Sequence, residues 1–337
     1  SGIQLPWEIL WGPDDFLWVT SRPGTVYRIN PETGATSTVL TKSVTNNGTG
    51  EPGMLGMAMH PEWETTPKVF IVYTTGPTWN GTERLSAFDW NGSSLVNEEI
   101  LLTLSAGGIH NGSRLLVLLD NTLLMTTGDV GDSGAHSQNL SSLNGKVLRI
   151  NLDGTVPADN PTPGSYVYSY GHRNMQGIAL NDATGAIWTH EHGPRGGDEL
   201  NRIVPGDNYG WPVVSNGDNY SGVPIPDHDT RPEFNAPEVS WTPSIGPAGF
   251  VIYNGDMFED WQGDGFIGGL VAKAIVRVTL DGDNSKEVAR YGWGKRIREV
   301  EQGPDGALWV LEDKAKGADD DSMDARLIRL TPAQEEG

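Results

Sequence analysis

Trp7-Glu8-Ile9-Leu10-Trp11-Gly12-Pro13-Asp14-Asp15-Phe16-Leu17-Trp18-Val19-Thr20 is two short apolar runs folded about a Gly-Pro-Asp-Asp turn. Glycine and proline supply the backbone angles of a tight turn, and the flanking aromatic and branched residues suit a pleated, half-buried surface. A third run, Val26-Tyr27-Arg28-Ile29-Asn30, follows and is closed by Pro31-Glu32-Thr33-Gly34. The stretch therefore predicts strand, turn, strand, turn, strand.

The same unit recurs five times, with apolar runs at 56–62, 69–73 and 84–88, then 114–117, 123–126 and 146–151, then 177–180, 186–189 and 198–203. The last two copies lie at 249–253, 265–268 and 274–278, and at 297–300, 308–311 and 326–330. One copy alone leaves sheet edges and apolar faces open, and closing six of them into a ring covers both. The pattern predicts an all-β fold, a six-bladed β-propeller with four-stranded antiparallel blades, filling residues 1–337 as a single domain. An open sandwich or a pair of sandwiches is the rival if one or two of the six copies are false. No segment keeps apolar residues at helical spacing over three turns. The polar inserts 127–145, 204–248 and 312–325 are expected to be long loops on one rim, where function concentrates.

Composition narrows the function. The net charge of -21 opposes binding of nucleic acid or an anionic membrane through the general surface. An anionic ligand needs local cations or a metal to overcome that field. The absence of cysteine removes disulfides, thiolate nucleophiles and Cys-ligated metals. No apolar run approaches the roughly 20 residues of a membrane span. The chain opens at Ser1 without a basic and apolar leader, so any export signal is expected to have been removed already or never to have been there.

Against this acidic background the cationic and imidazole side chains stand out. Tyr170-Gly171-His172-Arg173-Asn174-Met175-Gln176-Gly177 is followed closely by Glu191-His192-Gly193-Pro194, placing donors beside a turn dense in carbonyls. Arg173, Arg296 and Arg298 open inner strands, and Lys273 is near another; Arg296 and Arg298 are two apart, on one face of a strand. Paired guanidinium groups match carboxylates bidentately. His110 precedes an inner strand and would face the channel, where a neutral imidazole accepts a proton. Asp129 or Asp132 would orient its other nitrogen, and spacing does not choose between them. His-Glu-x-x-His, Gly-x-Ser-x-Gly and the dinucleotide glycine fingerprint are all missing from the sequence.

Gly-x-His-Asn-Gly-x-Arg at 108–114, Gly-His-Arg-Asn-x-Gln-Gly at 171–177, Glu-His-Gly-Pro-x-Gly-Gly-Asp-Glu-x-Asn at 191–201 and Arg-x-Arg at 296–298 resemble the soluble pyrroloquinoline-quinone (PQQ)-dependent sugar dehydrogenases, in particular their aldose branch. The resemblance implies PQQ at the mouth of the ring and Ca2+ on the oxygens of Gly193 and Pro194. It implies cofactor contacts from Arg173, Asn174, Ser244, Arg296 and Arg298, and His110 as the base at the sugar's anomeric hydroxyl. His192 stands where the glucose branch has Gln, and Lys273 falls near that branch's cofactor-contacting lysine. Glu51 occupies a substrate-side position, with Trp241 and Trp63 as candidate sugar-stacking rings. Glu199 with the Tyr209 carbonyl resembles a second, structural Ca2+ site.

The expected function is thus oxidation of aldoses to lactones, with an external quinone, dye or redox protein as electron acceptor. The expected molecule is a monomer of the periplasm or exterior that neither binds nucleic acid nor inserts in membranes. A non-catalytic glycan- or protein-binding propeller and a calcium-dependent lactonase-like hydrolase are the rival readings.

Overall fold

The computed structural model describes residues 2–46, 51–313 and 325–333. Each repeat forms one antiparallel meander. The first sheet is β1 (Pro6–Trp11), β2 (Leu17–Ser21), β3 (Thr25–Ile29) and β4 (Thr36–Thr41); the second is β5 (Met54–Met59), β6 (Lys68–Thr75), β7 (Gly81–Trp90) and β8 (Leu95–Ala106). The third contains β9 (Gly112–Val117), β10 (Thr122–Thr127), β11 (Lys146–Asn151) and β12 (Val167–Tyr170). The fourth is β13 (Met175–Asn181), β14 (Ala186–Glu191), β15 (Asp198–Ile203) and β16 (Val239–Trp241). The fifth is β17 (Pro247–Ile252), β18 (Gly265–Gly269), β19 (Ala274–Thr279) and β20 (Lys286–Gly292). The sixth has three strands among the described residues, β21 (Arg296–Gln302), β22 (Leu308–Asp313) and β23 (Leu327–Leu330).

The first strand of each sheet packs against the first strand of the next, and β21 returns to β1, so the ring closes as a six-bladed propeller. Apolar faces of adjacent blades meet, as where Phe70, Val72 and Leu85 pack with Leu123, Met125 and Leu148. Each such side chain, fully buried, contributes about 1.5–3 kcal/mol. The outermost strands escape a search for apolar runs because they face water. In β20 the residues are exposed or only half-buried throughout. The 312–325 insert lies mostly outside the described residues, whereas 127–145 and most of 204–248 form the expected loops.

All six innermost strands lose register with their neighbour near their beginning, a bulge that turns the strand sharply there. The third residues of β1, β5 and β9 are Glu8, Gly56 and Arg114; the corresponding positions of the other three blades hold Gly177, Gly249 and Glu299. Arg114 crosses the axis to donate Nη1 to Glu8 Oε1 at 2.5 Å and to the Glu299 carboxylate, and Nε to the Gln176 carbonyl at 2.9 Å. Burial drives the Glu8 carboxyl well above the usual range and raises that of Glu299, against the pull of Arg114.

Glycine makes room for this plug. A Cβ at Gly249 would stand 1.6 Å from Glu299 Oε1, so the carboxylate would have to abandon its place beside Arg114. Gly249→Ala is expected to cost about 1–3 kcal/mol of unfolding free energy, as overpacking does. An unchanged urea midpoint would show that Glu299 is not held there.

Candidate active site

The bulged beginnings of the inner strands share one end of the ring with the residues that follow each second strand. This mouth gathers side chains far apart in sequence. His110, two residues ahead of β9, has a left-handed backbone with φ 55°. Its imidazole Nδ1 lies 2.7 Å from Asp129 Oδ1. That oxygen also accepts the Gly131 N–H at 2.9 Å, and Oδ2 accepts Trp211 Nε1 at 2.8 Å. Burial alone would raise the Asp129 carboxyl, but the His110 hydrogen bond and charge, with these N–H groups, hold it below the ordinary range. Its contribution to stability is therefore present above the unfolded aspartate pKa and lost as pH falls through the depressed one.

An ionised Asp129 accepts a proton-bearing Nδ1, leaving Nε2 as the acceptor on the imidazole. The choice the sequence left open thus falls on Asp129. Asp132 does not orient His110: its Oδ2 lies 3.3 Å from His136 Nε2 instead. Glu51 Oε2 accepts the His110 main-chain N–H at 2.7 Å and approaches Asn174 Nδ2 at 3.4 Å. Asn174 Oδ1 in turn accepts the Gly112 N–H at 3.1 Å, so Glu51, His110 and Asn174 form one patch.

The three arginines also converge on the mouth. Arg173 donates Nη1 to the His192 carbonyl at 3.0 Å, and its Cζ lies 5.2 Å from the Trp211 ring centre. Arg298 Nη2 bonds Asp313 Oδ2 at 2.7 Å, Arg296 Nη2 approaches the same oxygen at 3.4 Å, and Arg298 Nη1 reaches Gln176 Oε1 at 3.1 Å. Burial would raise Asp313, but Arg298, Arg296 and Arg22 outweigh it and hold the carboxyl low. Buried without a hydrogen-bond partner are the Nε atoms of Arg173, Arg296 and Arg298, together with His192 Nε2. Burial lowers the His192 imidazole below its usual range despite Asp198 and Glu51, which favours its neutral form.

Gly193 and Pro194 follow directly. Asp198 fixes this turn by accepting the Gly193 N–H at 3.0 Å and, on its other oxygen, the Gly246 N–H at 2.8 Å. The second bond ties in the segment carrying Ser244, which is half-buried at the same mouth. Among the described residues no hydrogen bond ends on the Gly193 or Pro194 carbonyl. No group of three or more His, Asp or Glu side chains among the described residues is arranged to hold a metal.

The glucose/sorbosone dehydrogenase family model matches residues 3–329. The chain belongs to the glucose/sorbosone dehydrogenase family. The uncharacterized protein slr1608 of Synechocystis is 39% identical over 345 residues, covering 94% of this chain and 83% of that protein. The aldose sugar dehydrogenase YliI of Escherichia coli is 33% identical over 336 residues, covering 93% of this chain and 88% of the relative. The PQQ-bound aldose sugar dehydrogenase of Streptomyces coelicolor superposes with a TM-score of 0.81 at 31% identity, covering 98% of this chain and 95% of that one.

Within this member of the glucose/sorbosone dehydrogenase family, two expectations, both of tryptophans, need correction. Trp241 does not line the cleft: it is 6% exposed, packs between blades and donates Nε1 to Glu287 Oε2 at 2.8 Å. Trp63 lies at the far end of its blade, edge-on to Trp18 with ring centres 6.2 Å apart. Lys273 is exposed in the β18–β19 turn with φ 51°, among the residues that follow a second strand and so at the mouth end of the ring.

Glu199 and Tyr209 do lie close together. The Tyr209 carbonyl is 3.2 Å from His228 Nε2, and Asn201 Nδ2 spans Glu199 Oε2 at 3.3 Å and Glu191 Oε1 at 3.2 Å. Burial, then the neighbouring Glu191, drives the Glu199 carboxyl well above the usual range. Sequence reasoning missed Arg22, whose pKa is lowered to about 10, first by burial and then by Arg298. Its signal was the repeat itself: Arg22 follows β2 as His192 follows β14, and residues in that phase reach the mouth.

Proposed function

We propose that the protein is a PQQ-dependent aldose dehydrogenase that oxidises the anomeric hydroxyl to the lactone. The observation that carries this reading is the set of buried, unpartnered Nε atoms on Arg173, Arg296 and Arg298 beside an oriented His–Asp pair. Burying such donors is costly unless a ligand satisfies them, and a flat tricarboxylate fits that demand. Arg173, Asn174, Arg296 and Arg298 would hold it, with Ser244 and the neutral His192 as further polar contacts.

Ca2+ suits the unspent oxygens of Gly193 and Pro194, since a hard cation tolerates irregular main-chain oxygen sets. When bound, PQQ supplies a two-electron acceptor for the anomeric hydride, and Ca2+ supplies Lewis-acid polarisation. His110 Nε2 takes the hydroxyl proton, Asp129 steadies the imidazolium that forms, and Glu51 bonds sugar hydroxyls. Glu199, Asn201 and the Tyr209 carbonyl are the donors for a second, structural Ca2+.

An exported monomer that passes electrons to an external quinone, dye or redox protein completes the reading. Among the described residues no helix is long and apolar enough to cross a membrane. Metal-free protein given PQQ and Ca2+ is expected to reduce an artificial dye only when an aldose is present. Absence of reduction across a broad panel of aldoses would overturn the proposal.

A further inference from the structure

We propose that Trp79 is a stacking platform for a second sugar ring, one unit beyond the ring that is oxidised, so that the site favours disaccharides. This rests on the sugar-oxidising reading of the same mouth. Trp79 lies in the turn between β6 and β7, at the end of the ring where His110 sits, and is 57% exposed. An exposed indole offers an apolar face with one polar N–H edge, which suits a sugar ring that is apolar on one face and hydroxylated at its rim.

Two glycines hold it. A Cβ at Gly108 would stand 2.7 Å from Trp79 Cε2, and one at Gly131 would lie 3.8 Å from Cζ3. The indole therefore rests on the bare backbone of Gly108, with the Ile109 side chain against Gly131 beside it, and more than half of its surface is open. The same two segments position the proposed base: Gly108 is two residues before His110, and the Gly131 N–H bonds Asp129. Glu51 donates its main-chain N–H to the Gly108 carbonyl at 3.4 Å, joining the sugar-side carboxylate to this support.

Spacing assigns the ring to the neighbouring unit. The Cα atoms of Gly108 and His110 are at most about 7 Å apart, so the indole on Gly108 lies within reach of a unit next to the one held at the imidazole. A sugar presenting its anomeric hydroxyl to His110 would thus place the next ring, not the reacting one, over the indole. The C–H face of that ring meets an aromatic face already ordered, so little side-chain freedom is lost on binding.

The test compares maltose with glucose as substrates of the PQQ- and Ca2+-loaded enzyme. In Trp79→Ala the ratio of kcat/KM for maltose to that for glucose is expected to fall about tenfold, and in Trp79→Phe to stay near the wild-type value. A ratio in Trp79→Ala within about twofold of wild type, or a Phe variant as impaired as the Ala variant, would overturn the proposal. If neither sugar is oxidised, calorimetry of maltose binding to cofactor-free protein separates the two claims. Binding that weakens in Trp79→Ala upholds the platform while the dehydrogenase reading fails; binding that is absent or equal in both proteins overturns the platform.

Discussion

His110→Ala is expected to turn over aldoses about 10²–10⁴-fold more slowly than the wild type while still taking up PQQ. The imidazole is the group whose surroundings prepare it to receive a proton. Asp129 fixes one nitrogen at 2.7 Å, and two further N–H groups fix Asp129. Glu51 cannot simply take over, because its Oε2 is engaged by the His110 main-chain N–H and lies near Asn174 Nδ2. That main-chain bond survives the substitution. Asp129→Asn, which keeps the shape but removes the charge, is expected to lower kcat by about 10–100-fold. Steady-state rates with a saturating dye, alongside a PQQ titration, read both effects. Turnover unchanged in His110→Ala would remove the imidazole as the base.

Arg298→Ala is expected to weaken PQQ binding by about 1.5–3 kcal/mol, the worth of a hydrogen bond to a charged group. Arg298 is 4% exposed and keeps Nε unpaired although Asp313 and Gln176 engage its two terminal nitrogens. Asp313 is not stranded by the change, since Arg296 and Arg22 also act on it. Arg298→Lys retains the charge without the planar fork and is expected to fall between wild type and Ala. Titration of cofactor-free protein with PQQ measures this independently of turnover. Unaltered affinity in the Ala variant would place the residue outside the cofactor site.

The first two strands of most blades were legible because most of their side chains are buried on both faces and read as apolar runs, whereas third strands such as β3 and β23 are partly exposed and showed through alternating apolar residues. The fourth was not legible, since an edge strand such as β20 carries charge toward water. The arginines could be found because they are scarce in an acidic chain and head strands whose phase was known. Trp241 was misjudged because sequence reports an aromatic ring but not which side of a blade covers it. Asp129 and Asp132 are three apart in one glycine-rich loop, and only the path of that loop decides which carboxylate meets His110. Arg22 needed the blade repeat to be used as a ruler across all six copies, not only within the motifs.

The crossing of Arg114 to Glu8 and Glu299 has a kinetic meaning. It fills the axis of the ring with buried charged side chains, so that a sugar reaching the arginines on the proposed reading has protein beneath it. On the proposed reading an oxidised sugar then leaves by the mouth at which it entered. If the electron acceptor uses the same opening, the two half-reactions of the proposed dehydrogenase are expected to alternate. A product slow to depart would hold up its own successor.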